Sequence, residues 1–331
     1  MSSETTLERE IADLRLGVDA VRAAVAKRFL GYEEEVEQVL LGLIARGHVL
    51  LEGAPGLGKT TLARSLAGSL DLVFGRIQCT PDLMPADVLG TRILEEDPRG
   101  ARRFTFQKGP VFCNVLLVDE INRATPRTQS GLLEAMQEHQ VTVFGETKPL
   151  DEPFFVIATQ NPIEMEGTYP LPEAQLDRFL LKIQLTAPGP RELEVILRET
   201  TRPEPSSNGA VLTRDRLMRL QTLVREVPAS SDVTALVARL VVATHPEQPA
   251  APDSVRRFVR WGASPRGGQA LLLAAKARAL VRGRLFVAEE DLGALAVPAL
   301  RHRLVLSFEA EAQGARADEV VASAWESARR G

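Results

Sequence analysis

The chain has 331 residues, 44% hydrophobic, 25% charged and 5% aromatic, with a formal charge of -4. That is a globular composition, long enough for roughly two domains of about 150 residues and a large core without disulfides. It argues against a dedicated nucleic-acid binder, which carries a basic field, and no uncharged apolar run approaches the roughly 20 residues of a membrane span. Cys79 and Cys113 are far apart, with no partner ligands at metal spacing, which fits a reducing compartment and argues against zinc. The polar, acidic residues 1–10 are no secretory signal, so a cytoplasmic location is expected.

Leu7, Ile11, Leu14, Val18, Val21 and Val25 alternate four and three apart, with Glu8, Arg9, Asp13 and Arg15 on the other faces. This spacing predicts an amphipathic helix over 4–28. Its stripe should dock on the rest of the chain, because a free coiled coil needs a longer run. Residues 29–32 break that helix, and 33–45 read as a second. A buried strand over 48–52 runs into a glycine-rich turn, followed by a helix over about 58–69. Further apolar strands are 74–78, 115–118, 154–159 and 180–185. Short apolar strands alternating with helices predict a parallel sheet covered on both faces, with ligands beyond the strands' carboxyl ends.

Two hairpins interrupt the alternation. Segments 91–95 and 102–107 flank Asp97-Pro98-Arg99-Gly100, whose Asp, Pro and Gly suit a type I turn. Segments 140–144 and 146–150 flank Gly145. After Leu185, Pro188, Pro190, Pro203, Pro205 and Ser206-Ser207-Asn208-Gly209 mark a connection holding one helix, 191–200. From Thr213 onward helices are expected with almost no strand: 214–225, 231–244, 269–282, 288–296 and 317–330, with a proline-rich loop at 246–253. The expected organisation is an N-terminal helix (1–28), an α/β domain (29–187), a linker (188–210) and a helical domain (211–331).

Gly53-Ala54-Pro55-Gly56-Leu57-Gly58-Lys59-Thr60 matches the phosphate-loop pattern between a strand and a helix. Its glycines let successive N–H groups face a polyphosphate, and the following helix adds its N-terminal partial charge. Lys59 is expected on the β- and γ-phosphates and Thr60 in the magnesium shell, with Thr61 completing the ATP cradle. Val115-Leu116-Leu117-Val118-Asp119-Glu120 delivers two carboxylates to a strand end. Asp119 is expected to hold magnesium through water, and Glu120 to orient and deprotonate the attacking water. Asn161 follows the 154–159 strand and can address the γ-phosphate and that water. Arg178 and Arg266 are cations beside structural breaks; an isolated Arg is more often a surface ion pair.

With these come Asp119-Glu120-Ile121-Asn122-Arg123-Ala124, Gln129-Ser130-Gly131-Leu132-Leu133-Glu134-Ala135-Met136-Gln137-Glu138 and Ala158-Thr159-Gln160-Asn161-Pro162. The longest such passage is Glu166-Gly167-Thr168-Tyr169-Pro170-Leu171-Pro172-Glu173-Ala174-Gln175-Leu176-Asp177-Arg178-Phe179. Gly262-Ala263-Ser264-Pro265-Arg266 and Leu300-Arg301-His302-Arg303-Leu304 complete the set. From about residue 29 to 306 the chain resembles the MoxR family of AAA+ ATPases, in the branch with an extra hairpin in its second helix. The resemblance implies a P-loop α/β domain with two inserted hairpins and an all-α lid. It implies sensor 1 at Asn161, sensor 2 at Arg266 on the lid, and an arginine finger at Arg178 acting on a neighbour's ATP. Arg123 is implied as a further interface cation, and Gly31 and Tyr32 as the loop bordering the adenine, mostly through backbone. One departure is Gly267-Gly268, where the family has alanine or another helix former; two glycines weaken a helix start by roughly 1 kcal/mol each. That leaves the rigidity of Arg266 open.

The implied activity is magnesium-dependent ATP hydrolysis by a homo-oligomeric, hexameric ring that remodels or assembles a partner protein. Relatives often work beside proteins bearing a von Willebrand factor A domain. The Asp-x-Ser-x-Ser motif of that domain is missing from this chain, so such a domain must sit on a separate polypeptide. The alternative is a nucleic-acid-stimulated motor, favoured only by Arg99, Arg102 and Arg103.

Overall fold

A computed structural model of the chain describes residues 3–96, 102–162, 167–201 and 209–330, with side chains from residue 9 onward. The proposed turn 97–100 with Arg99, the side chain of Leu7, Glu166 and residues 203–208 of the connection lie outside that set. In chain order the first elements are α1 (Ser3–Ala26), α2 (Glu33–Ile44), β1 (Val49–Gly53), α3 (Lys59–Ser69) and β2 (Phe74–Gln78). Then come α4 (Pro85–Leu89), β3 (Gly90–Glu96), β4 (Arg102–Lys108), β5 (Val115–Asp119), a 3-10 turn (Ile121–Arg123) and α5 (Pro126–Glu138). The α/β part closes with β6 (Gln140–Val143), β7 (Glu146–Pro149), β8 (Phe155–Gln160), α6 (Glu173–Leu176) and β9 (Leu181–Leu185). The helical part comprises α7 (Pro190–Thr200), α8 (Arg214–Glu226), α9 (Ser231–Ala243), α10 (Asp253–Phe258), β10 (Val259–Trp261), α11 (Pro265–Val281), α12 (Glu289–Leu300), β11 (Val305–Leu306), α13 (Phe308–Gln313) and α14 (Ala317–Arg330).

Five strands form one parallel sheet in the order β2-β5-β8-β1-β9. Alternate residues serve opposite cores. Val115 and Leu117 of β5 join Phe155 and Ile157 of β8 in one cluster, while Leu116, Val118, Val156 and Ala158 join a second. Both faces are thus covered, which is why these strands read as unbroken apolar runs. The first cluster runs on through α1, α2 and α3 into the helical part. Ile11, Leu14, Val18, Val21 and Val25 are buried in it, so the α1 stripe is docked.

The hairpins β3–β4 and β6–β7 form as expected and are tied to each other. Arg92 pairs with Glu146 at 2.6 Å, and Lys148 lies over the Phe106 ring at 4.7 Å. The helical part departs from expectation, with two short helices, α10 and α13, that the spacing does not predict. It contains a small antiparallel pair, β10–β11, which only its distant partner strand makes possible. And α11 begins at Pro265 rather than at residue 269: the Ser264 hydroxyl caps it by accepting from the Arg266 amide at 3.2 Å, with Pro at N1. Gly267 and Gly268 lie inside the first turn and are buried. A Cβ on Gly267 would stand 2.9 Å from Leu300 Cδ2, and one on Gly268 3.1 Å from Val241 Cγ2. The packing that needs small residues here also pins the helix start. Among the described residues no helix is long and apolar enough to cross a membrane.

Candidate ATP site

The phosphate loop leaves the carboxyl end of β1 and turns into α3. Gly56 and Gly58 have φ of +84° and +79°, left-handed values that a side chain resists, and space above Gly56 is open. Lys59 Nζ donates to the Gly53 carbonyl at 2.8 Å, reaching back over the loop. Burial pushes its ammonium pKa down, while Asp119 and Glu120 pull it up, so lysine and carboxylates share one field. Ala54, Pro55, Leu57, Thr60 and Thr61 lie on the same loop and first turn, with Thr61 exposed.

Strand β5 carries Asp119 and Glu120 to the same end of the sheet. Glu120 has φ +54°, unusual for a residue with a side chain, and its N–H donates to Thr159 Oγ1 at 2.9 Å. Thr159 in turn donates to Asp119 Oδ1 at 3.2 Å. The central strand β8 therefore braces both carboxylates and ends at buried Asn161, between β5 and β1. Arg123 is half-buried within the subunit and donates to Glu120 Oε2 at 3.0 Å. Two residues invisible to motif reading join from edge strand β2. Arg76 binds Asp119 Oδ2 at 2.9 Å through Nε, and Gln78 Nε2 donates to Glu120 Oε2 at 3.1 Å. Their alternation on β2 puts them on one face, but only the register Gln78↔Asp119 turns that face toward the carboxylates.

The loop at 29–32 borders the phosphate loop. Phe29 packs where a Gly58 Cβ would be, 3.2 Å away, and stacks on Tyr32 at 4.8 Å. Gly31 has φ +80° and Tyr32 donates its hydroxyl to the Thr186 carbonyl at 2.9 Å. With the Tyr32 ring buried and committed, this loop offers a ligand its backbone. The donors at the strand ends fit magnesium: a carboxylate and a hydroxyl are the hard oxygens it prefers, and Asp119 already attracts a cation in Arg76. Among the described residues no cluster of three or more His, Cys, Asp or Glu could hold a metal ion.

Arg178 and Arg266 are not at this end. Arg178 precedes β9, whose Leu181 pairs with Val49 at the amino end of β1. The length of β1, five residues at roughly 3.3 Å each, separates that end from the phosphate loop. Arg178 and Arg266 line a shared cavity of about 400 Å³ there, with Arg46, Arg225, Arg303 and Asp177. A further cavity of about 630 Å³ lies elsewhere, between α1, α2, α11 and α12. There Arg22 pairs with Asp19 and Glu37, and Arg282 with Glu37. Both cysteines are buried, and burial pushes each thiol up to about 12, leaving them inert.

A model of the ATPase family associated with various cellular activities (AAA) matches residues 48–181, and a model of the AAA lid domain matches 253–324. Chaperone MoxR1 of Mycobacterium tuberculosis is 42% identical over 306 residues, 92% of this chain and 77% of its own. Protein MoxR of Methylorubrum extorquens is 32% identical, covering 89% of this chain and 90% of its own. The crystal structure of a Cytophaga hutchinsonii chain classed as an ATPase superposes with a TM-score of 0.88 at 37% identity, covering 98% of this chain and 97% of that one. With both AAA segments matched and relatives of that name at 32–42% identity over most of its length, the chain belongs to the MoxR family of AAA+ ATPases.

Proposed function

We propose that the chain hydrolyses ATP to ADP and phosphate and uses the cycle to remodel, assemble or activate a partner protein. The observation that carries this is the meeting of Lys59, Asp119, Glu120 and Asn161 at one end of three adjacent strands. Loop amides and Lys59 bind the phosphates. Glu120, freed from Arg123 and Gln78, takes the proton of the attacking water, and Asn161 orients that water. Magnesium, held by Thr60 and Asp119, would neutralise charge on the β- and γ-phosphates.

Arg178 and Arg266, set at the opposite end, have no route to their own subunit's phosphates. Both therefore act on a neighbour's ATP, Arg266 in company with Arg178 rather than as a closing residue over its own site. Such a contact is head-to-tail, and a ring, most simply a hexamer, closes it. The name of the mycobacterial relative supports a chaperone-like role. A nucleic-acid motor is disfavoured by the net charge of -4 and by Arg102, which is spent on Glu96 at 3.1 Å.

Two variants test the site. Glu120→Gln should keep ATP affinity and lose turnover by about 10²–10⁴, the usual worth of a general base. Lys59→Ala should lose affinity itself. Turnover of Glu120→Gln at the parental rate, or undiminished calorimetric affinity in Lys59→Ala, would exclude these roles.

A further inference from the structure

We propose that Arg303 and Ser264 are positioning residues for Arg178 and Arg266: they hold Asp177 across the base–lid boundary and keep its carboxylate off both guanidiniums. This role rests on the trans action of Arg178 set out above. The cavity shared by the two cations is lined by five arginines and a single carboxylate, Asp177, adjacent in sequence to Arg178. Left free, that carboxylate is the natural partner of either arginine and would neutralise the charge that a neighbour's phosphates require.

Both of its oxygens are occupied. Arg303 Nε donates to Asp177 Oδ1 at 2.7 Å, and Ser264 Oγ donates to Oδ2 at 2.8 Å. The rest of the Arg303 fork clamps the backbone on either side of Arg178, donating to the carbonyls of Asp177 at 3.0 Å, Phe179 at 2.7 Å and Leu180 at 3.3 Å. The Arg303 side chain is only 2% exposed, which fixes its fork. Ser264 works in both directions, because the hydroxyl that binds Asp177 also accepts from the Arg266 amide at 3.2 Å. One node thus sets the backbone of both cations. Their side chains are left uncommitted: among the described residues neither has a carboxylate partner, and Arg178 Nε is buried with no hydrogen bond.

Simple domain adhesive would serve as well with the cations neutralised, so turnover and ATP affinity separate the two roles. The test uses the full chain carrying Ser264→Ala, Ser264→Thr or Arg303→Lys, with Arg178→Ala as reference. ATP affinity is read by calorimetry, kcat in steady state, and rescue by mixing with Glu120→Gln subunits. Ser264→Ala and Arg303→Lys should keep ATP affinity and lose kcat by roughly 10–100-fold, the scale of a 1 Å misplacement. Ser264→Thr, which retains the hydroxyl, should stay near the parental rate. The slow variants should regain activity in mixed rings, where an intact Arg178 arrives from the Glu120→Gln neighbour. Parental kcat in both Ser264→Ala and Arg303→Lys, while Arg178→Ala is slow, would overturn the positioning role alone. Slow turnover with lost ATP affinity and no rescue would overturn it too, marking the node as scaffold. If Arg178→Ala itself turns over normally, the trans reading fails first and the positioning role with it.

Discussion

His48 immediately precedes the strand that leads to the phosphate loop, and its ring is locked there. Nδ1 accepts from the Val156 amide at 3.0 Å, so Nε2 carries the proton to the Met136 carbonyl at 2.9 Å. Burial lowers its pKa to about 4 from 6.5, and His302, buried beside Arg303, is lowered for the same reason. The unfolded chain therefore binds more protons than the folded one between about pH 4 and 6.5. Stability should be flat with respect to His48 above that window and fall as pH drops through it, by up to about 3 kcal/mol for a shift this large. Urea unfolding at pH 7.5 and 5 measures it; equal midpoints would contradict the neutral, buried state. His48, unlike Lys59 or Glu120, could not be assigned from sequence, because a lone histidine before a strand has no motif to define its partners.

At the scale of elements, the local periodicities were legible and the ends were not. The α1 stripe, the five sheet strands and both hairpins follow from spacing, since period and turn chemistry are properties of neighbouring residues. Helix α11 shows what is not local. Two glycines argue for a late start by propensity alone, yet the Ser264 cap with Pro265 at N1 and the close approach of Leu300, Arg303 and Val241 start it four residues earlier. Gly267→Val should consequently destabilise the fold by about 1–3 kcal/mol through overpacking, although propensity favours it. A denaturation midpoint at or above the parental value would show that α11 has room to yield. Helices α4, α5, α6, α10 and α13 were likewise not read from the sequence; four of them have six residues or fewer, too short for a period to declare itself.

At the scale of the whole molecule, the separation of Arg178 and Arg266 from the phosphate loop is what leads the proposed reading to a second copy. Arg178→Ala should bind ATP normally and lose hydrolysis by up to about 10³, the low end for an arginine finger. Mixed with Glu120→Gln subunits it should recover part of the rate, because some interfaces then pair an intact Glu120 with an intact Arg178. The measurement is ATPase rate across mixing ratios with mass by light scattering; an active monomer, or no recovery in demonstrably mixed rings, would count against composite sites. The sequence by itself determined the candidate nucleotide site. Lys59, Thr60, Asp119 and Glu120 lie within contiguous segments, and a strand followed by a turn carries its side chains to the sheet's carboxyl end wherever it sits. Only the tertiary structure decided which cations share a wall. Sheet order, the Gln78↔Asp119 register and the bond from Arg303 to Asp177, 126 residues earlier, arise from packing between distant segments. Such packing depends on the summed burial of many side chains, and no single stretch of sequence contains it.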